Sequence, residues 1–157
     1  DVMSETGSVA VHCPTSNLFL GSGLFPLKAL ARREKPVRIG VATDIGGGSS
    51  YSMLRTMDEA YKIQQLLGER LNPLESWYLM TRGNAEALSM VDRIGTLDAG
   101  TDADITVLNA SSTPAMALKM EVVTSLTEEL FLMLTMGDDR TVVETYVSGT
   151  PFKSELS

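Results

Sequence analysis

The sequence predicts an α/β fold with a layer of parallel strands. Strand-like and helix-like segments alternate along the first part of the 157-residue chain, as they do where helices connect parallel strands. The segment at residues 37–43 is apolar at nearly every position, as expected of a parallel strand covered on both faces. A composition of 43% apolar and 21% charged residues is that of an ordinary globular domain.

The elements predicted for the N-terminal part follow one another closely. Residues 3–5 read as a helix end stopped at Gly7, and residues 8–12 as a short apolar strand. Residues 13–23, CPTSNLFLGSG, read as a long loop because turn residues are frequent there. A short amphipathic helix at residues 27–33 precedes the strand at 37–43. Helical spacing of apolar residues then predicts helices at 52–67, 73–80 and 84–90.

The composition changes near residues 94–104, where turn residues lie at close intervals. Strands are predicted at residues 105–108 and 141–147, the second ending in a hairpin-like turn, with a helix at 126–136 between them. We therefore predict two parts, residues 1–94 and residues 95–157. A segment of about 60 residues is too short for a self-sufficient core, so the second part needs a partner segment.

Charge and cysteine content exclude several classes of partner and location. A formal net charge of -7 argues against a nucleic acid or an anionic membrane as the main partner, since either requires clustered Lys and Arg. The basic run at residues 28–35 reads as a solvated helix face. The single cysteine, Cys13, permits no intrachain disulfide and suits a reducing cytoplasm. No signal-peptide pattern or membrane-spanning segment is recognisable, so we expect a cytoplasmic protein.

Asp44 and the glycines at residues 46–48 raise the main functional question. A buried carboxylate is costly unless it is paired or bound to a metal, and three glycines give up backbone entropy on folding. Asp44 follows a predicted parallel strand, and the preceding strand ends at His12 before a polar loop. Ligands of parallel α/β folds gather at these strand ends, so both strands direct polar groups to the same rim.

Three explanations of Asp44 compete. The glycines could cradle a phosphate at the start of the next helix, but the carboxylate would repel it and no P-loop lysine follows. Asp44 could cap a helix beginning near Ser49, although Ser49, Ser50 and Ser52 are nearer caps. Asp44 could instead bind a metal or accept a proton, with the glycines allowing a tight turn beside a substrate. The third explanation accounts for both the carboxylate and the glycines at once.

Three stretches carry a resemblance to a known family. They are HCPTSNLFLGSGLF, IGVATDIGGGSSYSMLRTMDEAYKIQQL and GNAEALSMVDRIGTLDAGTDADITVLN, and together they resemble the C-terminal part of deaminases of the amidohydrolase superfamily. The last stretch is typical of the whole superfamily. PTSNLFLGSGLF combined with TDIGGGSSYSML is more specific and is similar to the members that act on guanine.

The resemblance implies a distorted (β/α)8 TIM barrel with a flanking β-sandwich. Residues 1–94 would be the last two strand-helix units of the barrel, strands 7 and 8, and residues 95–157 the C-terminal part of the sandwich. The implied activity is hydrolysis of guanine to xanthine and ammonia by zinc-activated water in a cytoplasmic homodimer. Asp44 would bind the zinc and move a proton as the catalytic carboxylate. Alternatives are an aminohydrolase of another purine, a pyrimidine or a triazine, or a non-catalytic interaction module.

Several features of the family are absent from this sequence. The H-x-H pair, the further histidines and the glutamate that serves the leaving group would lie before Asp1, and a complete barrel needs about 250 residues. We therefore expect a fragment that lacks the N-terminal portion of the enzyme and is inactive alone, because catalytic zinc normally has three protein ligands.

Four residues near the rim have more modest expected roles. His12 is predicted to pack or to orient a loop, since a lone histidine is weak evidence of a metal site. Ser16 and Asn17 are candidate substrate contacts, although such residues more often bond their own backbone in turns. Cys13 reads as a small buried residue.

Overall fold

The structure is a computed structural model that describes residues 2–153. Short helices and strands alternate along it, so the α/β class predicted from the sequence is confirmed. In chain order the elements are α1 (Val2–Thr6), β1 (Val9–His12), α2 (Pro14–Leu20), α3 (Leu27–Ala31), β2 (Arg38–Val41), α4 (Met53–Leu66), α5 (Pro73–Met80), α6 (Arg82–Ala87), β3 (Ile105–Leu108), α7 (Pro114–Met120), α8 (Leu126–Met136), a 3-10 turn (Asp139–Thr141), β4 (Val142–Val147) and β5 (Thr150–Pro151).

Strands β1 and β2 form a parallel pair, which confirms the parallel layer. The register runs from Val9 opposite Arg38 to His12 opposite Val41. One further bond, from the Ala42 N–H to the His12 carbonyl at 3.1 Å, continues the ladder beyond β2. The C-terminal ends of both strands therefore lie side by side, which places the segments that follow them at one edge.

The second sheet is antiparallel, in the order β3-β4-β5. Strand β3 pairs with β4 through an irregularity between Val107 and Leu108. Strands β4 and β5 are joined by Ser148 and Gly149, both at positive φ (49° and 81°), as the favoured two-residue hairpin turn requires. The predicted hairpin is confirmed.

The two sheets are connected through a shared core. The larger cluster of buried apolar side chains draws mainly on β2, α4 and α5, but it also includes Leu134 of α8; its buried members are Leu27, Val41, Met57, Ala60, Leu71, Leu79 and Leu134. Trp77 packs against this cluster and against a smaller one around Met116, and its indole N–H donates to the Leu130 carbonyl at 3.1 Å. Helix α8 thus uses the first part of the chain as the partner that its segment needs.

Two helices differ from the sequence-based expectation. Residues 13–23 were expected to be a loop, but α2 occupies Pro14–Leu20, because proline fits the first turn of a helix and Gly21, at φ 69°, ends it. Helix α7 was not expected; its start is signalled by Thr113, whose side chain accepts from the Met116 N–H, with Pro114 next.

Several boundaries also differ. Strand β2 is shorter than the predicted 37–43, α3 ends at Ala31, and α6 covers Arg82–Ala87 instead of 84–90. The predicted bounds of α5, α8 and β3 are confirmed. Across residues 2–153, no helix combines the length and apolar character needed to cross a membrane.

Candidate active site

The candidate site lies where β1 and β2 end. Asp44 follows the last residue of β2 by three positions, and Cys13 and α2 follow β1 directly. The first turn of α2 reaches the segment after β2, since the Thr15 hydroxyl donates to the Thr43 carbonyl at 3.3 Å. The parallel pairing therefore brings α2 and the turn around Asp44 together.

Asp44 begins a tight turn with an uncommon backbone conformation. Its φ is 50°, and its carbonyl accepts from the N–H groups of Gly47 at 3.0 Å and Gly48 at 2.5 Å. The expectation of a buried carboxylate is wrong: Asp44 is exposed, because in the described residues nothing closes over the rim. Within that part of the chain its carboxylate has no hydrogen-bond or ion-pair partner, so its oxygens are available to a ligand.

The glycines allow a close approach that side chains would prevent. A Cβ at Gly47 would lie 2.8 Å from Asp44 Oδ2 and 3.0 Å from Ser16 Oγ, so the carboxylate and the hydroxyl converge on this position. A Cβ at Gly48 would lie 2.0 Å from the Thr43 carbonyl oxygen and 2.9 Å from Thr15 Oγ1. Helix α2 can pack on the turn only because both residues lack a side chain.

This geometry excludes two of the three explanations of Asp44. Helix α4 begins at Met53, and its cap is Ser52, whose hydroxyl accepts from the Arg55 N–H at 3.3 Å. Asp44 is therefore not a helix cap. The Gly47 and Gly48 N–H groups both bond to the Asp44 carbonyl and precede the helix by several residues, so they are not arranged to cradle a phosphate.

Ser16 and Asn17 lie in the first half of α2, not in a loop as expected. Ser16 is buried against the Asp44 turn, and among the described residues its hydroxyl makes no hydrogen bond, so the alternative of a local turn bond does not explain it. Asn17 is half-buried and lies near the ring of His12. The structure thus brings Ser16 to Asp44 and leaves Asn17 on the side of His12.

His12 is fully buried at the end of β1. Its ring stacks on Phe25 with a centroid distance of 4.7 Å and an interplanar angle of 14°. Burial lowers its pKa to about 4; the Asn17 side chain opposes this shift, although neither ring nitrogen has a partner in hydrogen-bonding geometry among the described residues. A neutral, stacked imidazole agrees with the predicted packing role.

Cys13 is half-buried, which corrects the expectation of a buried residue. Burial raises the pKa of its thiol, and the negative charge of Asp44 raises it further. Both effects favour the protonated thiol. Nucleophilic cysteines are activated by positive charge nearby, whereas Cys13 lies near the negative charge of Asp44.

The described residues do not form a complete metal site. No group of three or more His, Cys, Asp or Glu side chains lies close enough, within residues 2–153, to hold a metal ion. Catalytic zinc normally has three protein ligands. Asp44, exposed and without a partner, fits the part of one ligand, and the remaining ligands would have to come from another segment.

One contact of β2 was not foreseen. The side chain of Asn84, in α6, accepts from the Val41 N–H at 2.8 Å and donates to the Val41 carbonyl at 2.9 Å. Sequence reasoning singled out no role for Asn84, because it is the first residue of a predicted helix and its partner is 43 positions away.

Parallel strands followed by a carboxylate and a glycine turn place this chain in the α/β class whose ligand sites lie at the C-terminal ends of the strands. The Amidohydrolase family matches residues 2–151, and the chain belongs to this family. The predicted resemblance to the amidohydrolase superfamily is thereby confirmed.

Three known proteins show how specific the similarity is. Guanine deaminase of Escherichia coli is 47% identical over 149 residues, which are 95% of this chain and 34% of that protein. Its structure superposes with a TM-score of 0.92 at 46% identity, and the superposition covers 96% of this chain and 35% of that one. Guanine deaminase of C. acetobutylicum, solved with guanine in its active site, gives a TM-score of 0.79 at 27% identity, covering 96% and 35% of the two chains. An adenosine deaminase of Xanthomonas campestris with bound zinc gives 0.75 at 26%, covering 96% and 33%.

The chain spans about a third of the length of the relatives it matches. The match with guanine deaminase structures also identifies the fold as that of the amidohydrolase barrels.

Proposed function

We propose that this chain is the C-terminal portion of a guanine deaminase, which hydrolyses guanine to xanthine and ammonia when the N-terminal portion is present. The observation that carries the proposal is the similarity to E. coli guanine deaminase along almost the whole chain. The guanine bound in the active site of the C. acetobutylicum relative supports the choice of substrate.

In this proposal β1 and β2 are the last two strands of the barrel. Their parallel pairing and the helix that follows β2 agree with two consecutive strand-helix units. The antiparallel sheet β3-β4-β5 would then be the C-terminal contribution to a flanking sandwich, with residues 1–94 and 95–157 as the two parts.

Asp44 has the central chemical role at this rim. Zinc, when bound, supplies a Lewis acid that lowers the pKa of water toward about 7. Asp44 would contribute one carboxylate ligand and would accept the proton that the attacking water loses, which its exposed and unpartnered oxygens allow. The water oxygen would bond to the ring carbon that carries the exocyclic amine, the amine nitrogen would gain the proton that the water lost, and the bond between that carbon and the nitrogen would break to release ammonia.

Ser16 and Asn17 would contact the purine from the side of α2. Ser16 Oγ and Asp44 Oδ2 converge on Gly47, so a substrate at the rim would meet the hydroxyl and the carboxylate together. A cytoplasmic location and a homodimer remain predictions from the sequence.

A chimera tests the proposal. The chain would replace the third of E. coli guanine deaminase that it matches, and ammonia release would be measured with guanine, adenosine and a triazine as separate substrates. We expect release from guanine by the zinc-loaded chimera and none by the chain alone. Activity on adenosine or the triazine instead would identify another aminohydrolase, and a folded, zinc-loaded chimera without activity on any of them would contradict the proposal.

A further inference from the structure

Asn84 bonds the backbone of β2 on the side that faces away from β1. In the described residues β1 pairs with one edge of β2, where the Ala42 N–H bonds to the His12 carbonyl. Buried backbone N–H and C=O groups need partners. At Val41, which is only 3% exposed, the Asn84 amide supplies both bonds at 2.8 and 2.9 Å.

A carboxamide is well suited to this task. It offers one acceptor and one donor in the same plane, as a neighbouring peptide group would, and both are used on the two polar groups of one residue. Helix α6 lies in contact with β2 here, since a Cβ at Gly40 would be in ordinary van der Waals contact with Asn84 Oδ1 at 3.4 Å and with Ala87 Cβ at 3.6 Å.

A second anchor holds α6 along β2. The Arg38 guanidinium, at the start of the strand, donates to the Ala87 carbonyl at 2.8 Å and the Ser89 hydroxyl at 2.9 Å, and it also bonds the Glu86 carbonyl. Helix α6 is thus tied to both ends of the four-residue strand. Because the anchors are three residues apart on β2, the helix cannot slide or tilt without breaking one of them.

We propose that Asn84 is a positioning residue for Asp44, acting through the backbone of β2. Val41 is three residues before Asp44, and the path between them is held on its other side by the Ala42–His12 bond and the Thr15–Thr43 bond. With Asn84 bound, the strand end is fixed from both edges, and the Asp44 turn starts from a fixed point. This inference rests on the proposed function for its catalytic consequence, but its structural part does not.

Amide hydrogen exchange of the chain, followed by NMR, tests the structural part. In Asn84→Ala we expect the Val41 amide to exchange at least about tenfold faster, as loss of one buried hydrogen bond implies, and the Gly47 and Gly48 amides that bond to Asp44 to exchange faster too. The matched control is Asn72→Ala, which removes the exposed cap of α5 at 2.9 Å from the Glu75 N–H and should leave those three amides unchanged. Unchanged exchange at Val41, or at both glycines, in a folded Asn84→Ala chain would overturn the proposal.

Kinetics of the active chimera test the catalytic part. We expect Asn84→Ala to lower kcat about tenfold or more with KM within about twofold, since a carboxylate misplaced by a fraction of an ångström affects the reaction more than binding. Asn84→Asp adds a signature: burial against Val41 raises the pKa of the introduced carboxyl above its ordinary value, and the protonated form can make the same two bonds as the amide. Its activity relative to the native chimera should therefore recover as the pH falls from about 8 to about 5.

The outcomes separate the two hypotheses. A kcat of Asn84→Ala within about twofold of that of the native chimera, with Asn72→Ala equal to it, would refute positioning while leaving the proposed function intact. An inactive native chimera would refute the proposed function, and the exchange rates of Val41, Gly47 and Gly48 would still decide whether Asn84 orders the Asp44 turn.

Discussion

Asp44 combines a strained backbone with an exposed side chain. Its φ of 50° lies in the left-handed region, which costs an L-residue about 1–2 kcal/mol, although aspartate tolerates it better than most. Two N–H bonds into its carbonyl offset this cost. Strain of this kind is concentrated at functional sites, and here it turns an unpaired carboxylate toward the open rim.

The two neighbouring glycines should respond differently to alanine. In Gly47→Ala the new Cβ meets the ends of two side chains, so we expect a loss of stability below about 1 kcal/mol but a loss of chimera activity of at least about tenfold, because Asp44 must move. In Gly48→Ala it meets the Thr43 backbone carbonyl, so we expect destabilisation of about 3 kcal/mol. Urea unfolding and guanine turnover measure both; equal effects of the two changes on stability would contradict this account.

His12 should make the fold sensitive to acid. Its folded pKa of about 4 lies below the ordinary value of 6.5, so the folded chain binds fewer protons than the unfolded one below about pH 6.5. Its contribution is fully present above that value and decreases as the pH falls toward about 4, by up to about 3 kcal/mol in total.

Urea unfolding between pH 7 and pH 4 measures this effect, with pH values set around the range from 6.5 to about 4. The variant His12→Leu keeps an apolar contact with Phe25 and removes the titrating ring, so subtracting its pH dependence isolates the histidine from the carboxylates that titrate nearby. The same slope in both proteins would show that His12 is not held neutral.

At the scale of single elements, local signals and tertiary contacts account for different parts of the fold. Helices α5 and α8 and strand β3 have strong periodicity and clear caps, and their predicted bounds are confirmed. Helix α2 was missed because proline, threonine, serine and asparagine favour turns and also the first turn of a helix, and only packing on the Asp44 turn selects the helix.

The same difference between local signals and tertiary contacts applies to the candidate site. The position of Asp44 after a parallel strand, in a glycine turn, could be predicted because a carboxylate and glycines after an apolar strand form a local pattern. Its exposure could not, since burial depends on which other segments cover the rim. The bonds between Asn84 and Val41 also leave no local pattern, because they join residues 43 positions apart in sequence.

The start of α4 provides a test at this scale. We expect Ser52→Ala to destabilise the chain by about 1 kcal/mol, because the Arg55 N–H loses its capping acceptor, and Ser52→Asp to retain most of the stability. Thermal unfolding measures both, with Ser49→Ala as the control, since Ser49 is exposed and lies before the cap. A loss in Ser49→Ala equal to that in Ser52→Ala would place the helix start earlier than the structure does.

At the scale of the whole molecule, residues 2–153 share a connected core and leave several large apolar side chains exposed. These lie on α2, where Phe19 is 72% and Leu20 62% accessible, and on and after α7, where Leu118 is 67% and Val122 73% accessible. Residues 2–153 hold no group of three or more metal-ligating side chains, and the chain spans about a third of the length of the relatives it matches.

The most direct test of the central claim is guanine turnover by the zinc-loaded chimera carrying Asp44→Asn. Asparagine preserves the shape of the side chain but removes its charge and its ability to accept the proton, so we predict a loss of kcat of about 10²-fold to 10⁴-fold. The control is Asp98→Asn, which changes a carboxylate on an exposed turn and should leave turnover unchanged. Turnover by the Asp44→Asn chimera within about twofold of the native rate would contradict the assignment of Asp44 as the catalytic carboxylate.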